Sequence, residues 1–160
     1  MLSDKPLFVT VEGPIGVGKT TMTHLVAERM SARVLLEVVE ENPFLADFYG
    51  DRDRYAFQTQ LFFLLSRYKQ QADVMQGDLF APGGVVADYI LDKDRLFATM
   101  NLSGDELSLY NRLWDVLSPQ ASKPDLVILL MAQVDVLLER IKRRGRSFEE
   151  QFDRTYLEEL

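Results

Sequence analysis

With 160 residues the chain is expected to form a single domain around one buried core, and 47% apolar against 27% charged residues is the balance of an ordinary water-facing globule. Zero cysteines exclude disulfides, thiol catalysis and cysteine–zinc sites, and no apolar run approaches the roughly 20 residues needed to span a bilayer. A net charge of −7 argues against a general nucleic-acid binder, because contacts to a phosphate backbone need a basic face.

The amino terminus, Met1 to Pro6, lacks the basic and long apolar parts of a signal peptide, which with the missing cysteines sets a cytoplasmic expectation. Leu7–Glu12 is apolar and β-branched and predicts a strand. Next come Gly13, Pro14, Ile15, Gly16, Val17, Gly18, Lys19 and Thr20, which fit the pattern G-x-x-x-x-G-K-[ST] at every fixed position. Lys19–Met30 follows with helical periodicity. A glycine-rich turn could match by chance, but the strand before and the helix after give the match physical content. Glycines let the backbone curl so that its N–H groups point at phosphate oxygens, and the helix start adds its positive end. Lys19 then reaches the β- and γ-phosphates, the Thr20 hydroxyl ligates Mg²⁺, and Thr21 completes the expected nucleotide cradle. His24, the one histidine, reads as a packing or surface-pairing residue.

Arg33–Val38 is the second predicted strand, closed by Glu37. Open α/β sheets bind ligands at the carboxyl ends of their strands, so Glu37 is a candidate general base, with a merely solvated acid as the plain alternative. Glu40 and Glu41, just beyond, read as the solvated acids. In the predicted helix Arg52–Met75, residues Gln60, Leu64, Arg67 and Gln71 share one face. Such a face suits a nucleobase edge or an anion, and spacing alone does not separate that from a wet amphipathic helix. The turn Pro82-Gly83-Gly84 introduces a strand, Gly84–Asp88, whose terminal carboxylate is costly unless paired or bound to metal. Asp88 is therefore expected beside Thr20 at Mg²⁺.

Helices are predicted over Tyr89–Met100 and Gly104–Leu117, where Phe97, Tyr110 and Trp114 have core spacing, and Ser118-Pro119 marks a turn. A strand at Asp125–Met131 and a helix at Val134–Arg143 lead into five cations within seven residues: Arg140, Lys142, Arg143, Arg144 and Arg146. A charge run of this kind is often just a solvated face. Straddling Gly145, it is read here as a basic lid over about 140–150 that closes on a triphosphate, with Arg144 and Arg146 stabilising charge in the transition state. A last helix is predicted over Phe148–Leu160.

The alternation implies an α/β, P-loop NTPase-like three-layer fold, a parallel sheet of strands buried on both faces and flanked by helices. A doubly wound sheet would gain another strand and helix after the last predicted helix. The sequence reads either as a minimal version without that strand and an adenine loop, or as truncated.

Several separated blocks resemble the deoxynucleoside kinases, specifically their bacterial deoxyguanosine/deoxyadenosine kinase branch. They are Glu37 to Leu45, Phe48-Tyr49, Tyr55 to Arg67, Ala87-Asp88-Tyr89-Ile90 and Arg140 to Arg146. The resemblance implies that Glu37 takes the proton of the deoxyribose 5′-hydroxyl, Tyr49 holds the 3′-hydroxyl, and Gln60 reads the base. It further implies that Arg67 orients Glu37 and the substrate, that Asp88 and Asp94 join the substrate-contacting set, and that Arg140, Arg144 and Arg146 embrace the donor phosphates. ATP, Mg²⁺ and a homodimer contact along the helix Phe57–Leu65 come with it. Two positions depart from the family pattern. Tyr89 stands where many members carry arginine, leaving Lys93 or Arg95 one turn later as a replacement, and Thr155 stands where some carry glutamate, so the 3′-hydroxyl would rest more on Tyr49. Asp88-Tyr89 suits the deoxyguanosine-type branch.

The resulting expectation is an ATP- and Mg²⁺-dependent kinase of a purine deoxynucleoside 5′-hydroxyl, deoxyguanosine foremost, with deoxyadenosine or a broader deoxynucleoside range as the alternative. Three rivals stand beside it. One is a non-catalytic nucleotide-binding regulatory subunit, and another is a GTPase switch built on Asp47-Phe48-Tyr49-Gly50 without a guanine-reading Asn-Lys-x-Asp. The third is a kinase for another small hydroxyl or for a nucleoside monophosphate, and a monophosphate would meet repulsion from Glu40 and Glu41.

Overall fold

Five successive buried residues, Phe8 to Glu12, form a strand (β1) enclosed on both faces, as its unbroken β-branched and aromatic run dictates. The computed structural model describes residues 6–39, 41–77, 83–146 and 154–159. After β1 come α1 (Lys19–Met30), β2 (Arg33–Leu35), α2 (Leu45–Gly50), α3 (Arg52–Gly77) and β3 (Val85–Ala87). Then follow α4 (Asp92–Asn101), α5 (Gly104–Leu117), a 3-10 turn at Ser118–Gln120, β4 (Leu126–Leu129), α6 (Val134–Arg144) and α7 (Arg154–Glu159). The strands pair in parallel in the order β2-β3-β1-β4, with Val9 opposite both Val86 and Leu126. This is the expected α/β sheet flanked by helices.

That order fixes where a ligand can sit. From β1 the chain crosses to β2 on one side; from β3, lying between them, it crosses to β4 on the other. The connections diverge at the carboxyl ends of β1 and β3, which opens a crevice there. Side chains alternate across the sheet. Val9, Val11 and Val86 pack under Ala27, Met22, Val26 and Met30 of α1, while Phe8, Leu35, Val85 and Ala87 face the other way with Tyr89. Helices α2 to α5 build a second cluster around Leu64, Tyr110 and Trp114. Leu137 and Ile141 of α6 seat Val17 of the glycine loop, with Leu157 of α7 packed beside them.

Several boundaries differ from expectation for identifiable reasons. The second strand ends at Leu35 rather than Val38, because the Glu37 N–H leaves the ladder for the Asp88 carboxylate, so Glu37 lies just past the strand instead of closing it. The helix expected from Tyr89 starts at Asp92, since the Ile90 N–H is taken by the Glu12 side chain. Helix α2 was not anticipated. Its six residues are too few to show a period, and it is started by Asn42, whose side-chain oxygen accepts the Phe44 N–H at 3.0 Å. β4 is not buried on both faces, because it lies at the end of the strand order and Leu126, Val127 and Leu129 are exposed. Of the last expected helix, Arg154–Glu159 is helical, while 147–153 and Leu160 lie outside the described residues, as does Glu40.

Candidate active site

The glycine loop joins β1 to α1 through residues that only glycine tolerates. At Gly13, φ is 147° and a Cβ would fall 2.4 Å from the Leu130 carbonyl oxygen. At Gly18 a Cβ would meet nothing within 4 Å, but φ is 104°, a backbone conformation that strains any other residue. Gly18 also caps α1, which has no side-chain cap and no acid in its first turn, leaving the helix amides to face an anion. Lys19 donates to the carbonyls of Gly13 at 2.8 Å and Pro14 at 3.1 Å. Burial pulls its pKa down to about 7, helped by the neighbouring Lys93 charge and opposed by Glu12 and Asp88.

Two acids end the strands flanking the crevice. Asp88, one residue past β3, accepts the Thr20 hydroxyl at 2.8 Å on one oxygen and the Glu37 backbone N–H at 2.6 Å on the other. Burial raises its pKa, against the pull of the Thr20 hydrogen bond and the Lys19 charge. Glu12 accepts the Gly13 and Ile90 N–H groups, each at 3.0 Å, and lies 3.5 Å from the Lys93 ammonium. Sequence reasoning missed Glu12, although the signal that singled out Asp88 applied to it equally: a carboxylate ending an apolar strand.

Opposite the loop, the buried guanidinium of Arg67 bridges Glu37 and Asp94, and its face lies over the Phe63 ring at 4.8 Å. Burial lowers Arg67 to about 10, which leaves it cationic at neutral pH. Removing either carboxylate would strand charge in the interior, so the three groups hold one another in place. Glu37 keeps 13% of its side chain exposed, while Asp94 is enclosed and reaches the cavity only through Arg67. The predicted face of α3 is buried at Gln60, Leu64, Arg67 and Gln71 alike, which excludes the wet-helix alternative.

These groups surround one cavity of about 970 Å³, at the large end for a small-molecule site. Lys19, Thr20, Glu37 and Asp88 line it together with Tyr49 of α2 and Gln60 and Arg67 of α3. Ile15, Gly16, Val17, Gly18 and Thr21 also line it, as do Arg140, Arg144 and Arg146. Arg140 additionally donates to the Val17 carbonyl at 3.0 Å. The basic run is thus largely the last turns of α6, ended by Gly145 in a left-handed conformation, and the lid beyond Arg146 falls outside the described residues up to Arg154. Of the two replacements considered for the absent arginine, Lys93 lines the cavity and Arg95 does not, while Tyr89 is enclosed beneath Arg67 with its hydroxyl donating to the Arg67 carbonyl. Asp47 to Gly50 is part of α2, a helix rather than a switch loop. His24 is exposed on α1. Trp114 and Tyr110 are core, whereas Phe97 borders the cavity.

The donor set fits a Mg²⁺–triphosphate. Among the described residues no cluster of three acids or histidines could hold a metal alone. Mg²⁺ takes one or two protein oxygens and completes its shell with phosphates and water, which the Thr20 hydroxyl and Asp88 carboxylate suit.

Comparison with known proteins agrees with this geometry. A family model described as deoxynucleoside kinase matches residues 9–160. The chain is 38% identical to the deoxyguanosine kinase of Bacillus subtilis (strain 168) over 153 residues, covering 96% of this chain and 74% of that one. It is 36% identical to the deoxyadenosine/deoxycytidine kinase of the same organism, covering 98% and 74%. Among solved structures, deoxyadenosine kinase from M. mycoides with bound dATP superposes with a TM-score of 0.78 at 25% identity, over 95% of this chain and 78% of that one. The same enzyme with products dCMP and dCDP gives 0.81 at 26% identity over the same shares. The chain belongs to the deoxynucleoside kinase family.

Proposed function

We propose that this deoxynucleoside kinase transfers the γ-phosphate of ATP to the 5′-hydroxyl of a purine deoxynucleoside, deoxyguanosine foremost. The observation that carries the reading is the meeting of Glu37 and the glycine-loop Lys19 in one cavity large enough for both substrates. Glu37, held by Arg67, accepts the hydroxyl proton as the oxygen attacks phosphorus and the bond to ADP breaks. Thr20 and Asp88 would hold Mg²⁺, which would supply charge to neutralise the phosphates; Lys19, Arg140, Arg144 and Arg146 meet the spreading charge. Tyr49 takes the 3′-hydroxyl, Gln60 takes the base, Arg67 with Asp94 behind it orients Glu37 and the substrate, and Asp88 borders the sugar.

Deoxyguanosine is favoured by the Asp88-Tyr89 pair and by the 38% identical relative. Deoxyadenosine stays as the second reading because a relative acting on it is nearly as similar and because Gln60 offers both a donor and an acceptor. The non-catalytic reading finds no support at a site that keeps its base, its cradle and its cations. The protein is further proposed to act in the cytoplasm as a homodimer; no helix among the described residues is long and apolar enough to cross a membrane, and Leu65 is exposed on the apolar stretch of α3.

The test is a panel of the four natural deoxynucleosides with Mg·ATP, scored for 5′-monophosphate. Deoxyguanosine should give the highest kcat/KM, followed by deoxyadenosine. A preference for pyrimidines, or no 5′-phosphorylation of any member, refutes the proposal.

A further inference from the structure

Lys93 is a lysine in an unusual setting. It sits in the first turn of α4, with only 12% of its side chain exposed, and its ammonium borders the same cavity as Lys19. Its ammonium lies over the Phe97 ring, 5.6 Å from the ring centre. Its anionic contact is Glu12 at 3.5 Å, longer than a strong charge-assisted hydrogen bond. Glu12 is already engaged by two backbone N–H groups, from Gly13 and Ile90. Glu12 therefore aims Lys93 from the last residue of β1, just before the glycine loop, without saturating its three donors.

The surroundings of Lys93 discourage a cation. Burial above all lowers its pKa, with the Arg67 charge adding to the shift, while Glu12 and Asp88 only partly compensate, and the Lys93 charge in turn disfavours that of Lys19. Packing alone would be better served at this position by an apolar side chain of similar length. Two lysines brought together at the mouth of a phosphate loop, each disfavouring the other, become favourable once an anion lies between them.

We propose that Lys93 is a second phosphate-contacting lysine, which meets the γ-phosphoryl group on the side opposite Lys19 and stabilises it during transfer. The proposal rests on the phosphotransfer reading above. Lys93 keeps its protons throughout: the hydroxyl proton goes to Glu37, the new O–P bond forms, the bond to ADP breaks, and Lys93 contributes charge and hydrogen bonds alone. Its position beside the cradle leaves nucleoside recognition to the α2–α3 side.

The experiment compares Lys93→Met, Lys93→Arg and the double variant Lys93→Met/Glu12→Gln with the wild type. Lys93→Met should lose about 100-fold in kcat, the scale for one transition-state donor, while the nucleoside KM changes less than about threefold. Lys93→Arg should recover at least about tenfold of that loss. If Lys93 merely neutralised Glu12, removing both charges would restore turnover; here the double variant should be no faster than Lys93→Met. Retention of kcat by Lys93→Met, or its recovery in the double variant, overturns the proposal. If the wild type phosphorylated no deoxynucleoside, the acceptor assignment would fall, and Lys93 would be judged by calorimetry with a non-hydrolysable Mg·ATP analogue against Mg·ADP. A loss of about tenfold or more for the triphosphate alone sustains it, and equal effects on both ligands end it.

Discussion

At the scale of single residues, the site is organised by where burial and charge disagree. Glu37 is held by a guanidinium it shares with Asp94, and a glutamine would keep that contact without accepting a proton. Glu37→Gln should therefore lower kcat by about 10²- to 10⁴-fold, the usual worth of a positioned base, with Mg·ATP affinity unchanged within a few-fold. Steady-state kinetics with a separate ATP titration distinguish this from a folding defect, which would weaken both. Lys19 makes a pH-dependent prediction. With its pKa drawn down to about 7, a large share of the protein carries a neutral Lys19 above that pH, and phosphate oxygens arriving at the ammonium pull the proton back. At pH 8, Mg·ATP binding should take up close to one proton, falling toward none at pH 6, and affinity should drop as pH rises past 7. Calorimetry in two buffers of different ionisation enthalpy measures this uptake, and identical heats in both would refute it. The same shift acts on folding. Between about 7 and the unfolded value of 10.5 the native state holds fewer protons than the unfolded chain, so this group's contribution to stability rises with pH across that window, and its burial penalty is complete below 7.

At the scale of elements, α3 does the most to assemble the site, since one helix carries both core and ligand-facing residues. Leu64 is fully buried at the centre of the α2–α5 cluster, one turn from Gln60 and three residues from Arg67. Leu64→Ala should cost about 2–5 kcal/mol in urea unfolding and raise the nucleoside KM more than the ATP KM, because the cavity forms beneath the residues that face the nucleoside. A loss below 1 kcal/mol would mean that the cluster tolerates repacking there. Long periodic elements were legible from the sequence: α1 and α5 run as expected, and α3 starts at the expected Arg52. What escaped was set by side chains capturing backbone groups. Glu12 takes the Ile90 N–H and delays α4, Asp88 takes the Glu37 N–H and shortens β2, and Asn42 starts α2. Local pattern carries no trace of a partner 78 or 51 residues away. The Glu37–Arg67–Asp94 bridge was legible only in part, because α3 periodicity exposed Arg67 while nothing in the spacing tied it to Asp94.

At the scale of the molecule, the sheet is uneven: the two central strands, β1 and β3, are fully buried, β2 is buried only at Leu35, and β4 is the most open. Among the described residues β4 pairs with β1 on one side only, and Leu129 is 64% exposed with Met131, just beyond it, at 83%. Ile128 and Leu130 turn inward onto the α1 face, while Val127, Leu129 and Met131 face outward and Leu126, at the start of the strand, is exposed as well. An apolar strand edge of this kind is a template for pairing with another chain. The net charge of −7 opposes such contact at neutral pH and fades toward the isoelectric point near 4.7. The sequence itself, expressed as these 160 residues, should therefore self-associate increasingly as pH falls from 7 toward 5, with light scattering growing with concentration. Leu129→Lys and Leu129→Glu separate the two causes, since one reduces and the other increases the net negative charge. If the apolar edge drives association, both variants suppress scattering at a given pH; if charge alone governs it, Lys raises scattering and Glu lowers it. Because Leu129 is largely solvent-facing, neither substitution should shift unfolding by more than about 1 kcal/mol, so a change in scattering reports the edge and not a loosened fold.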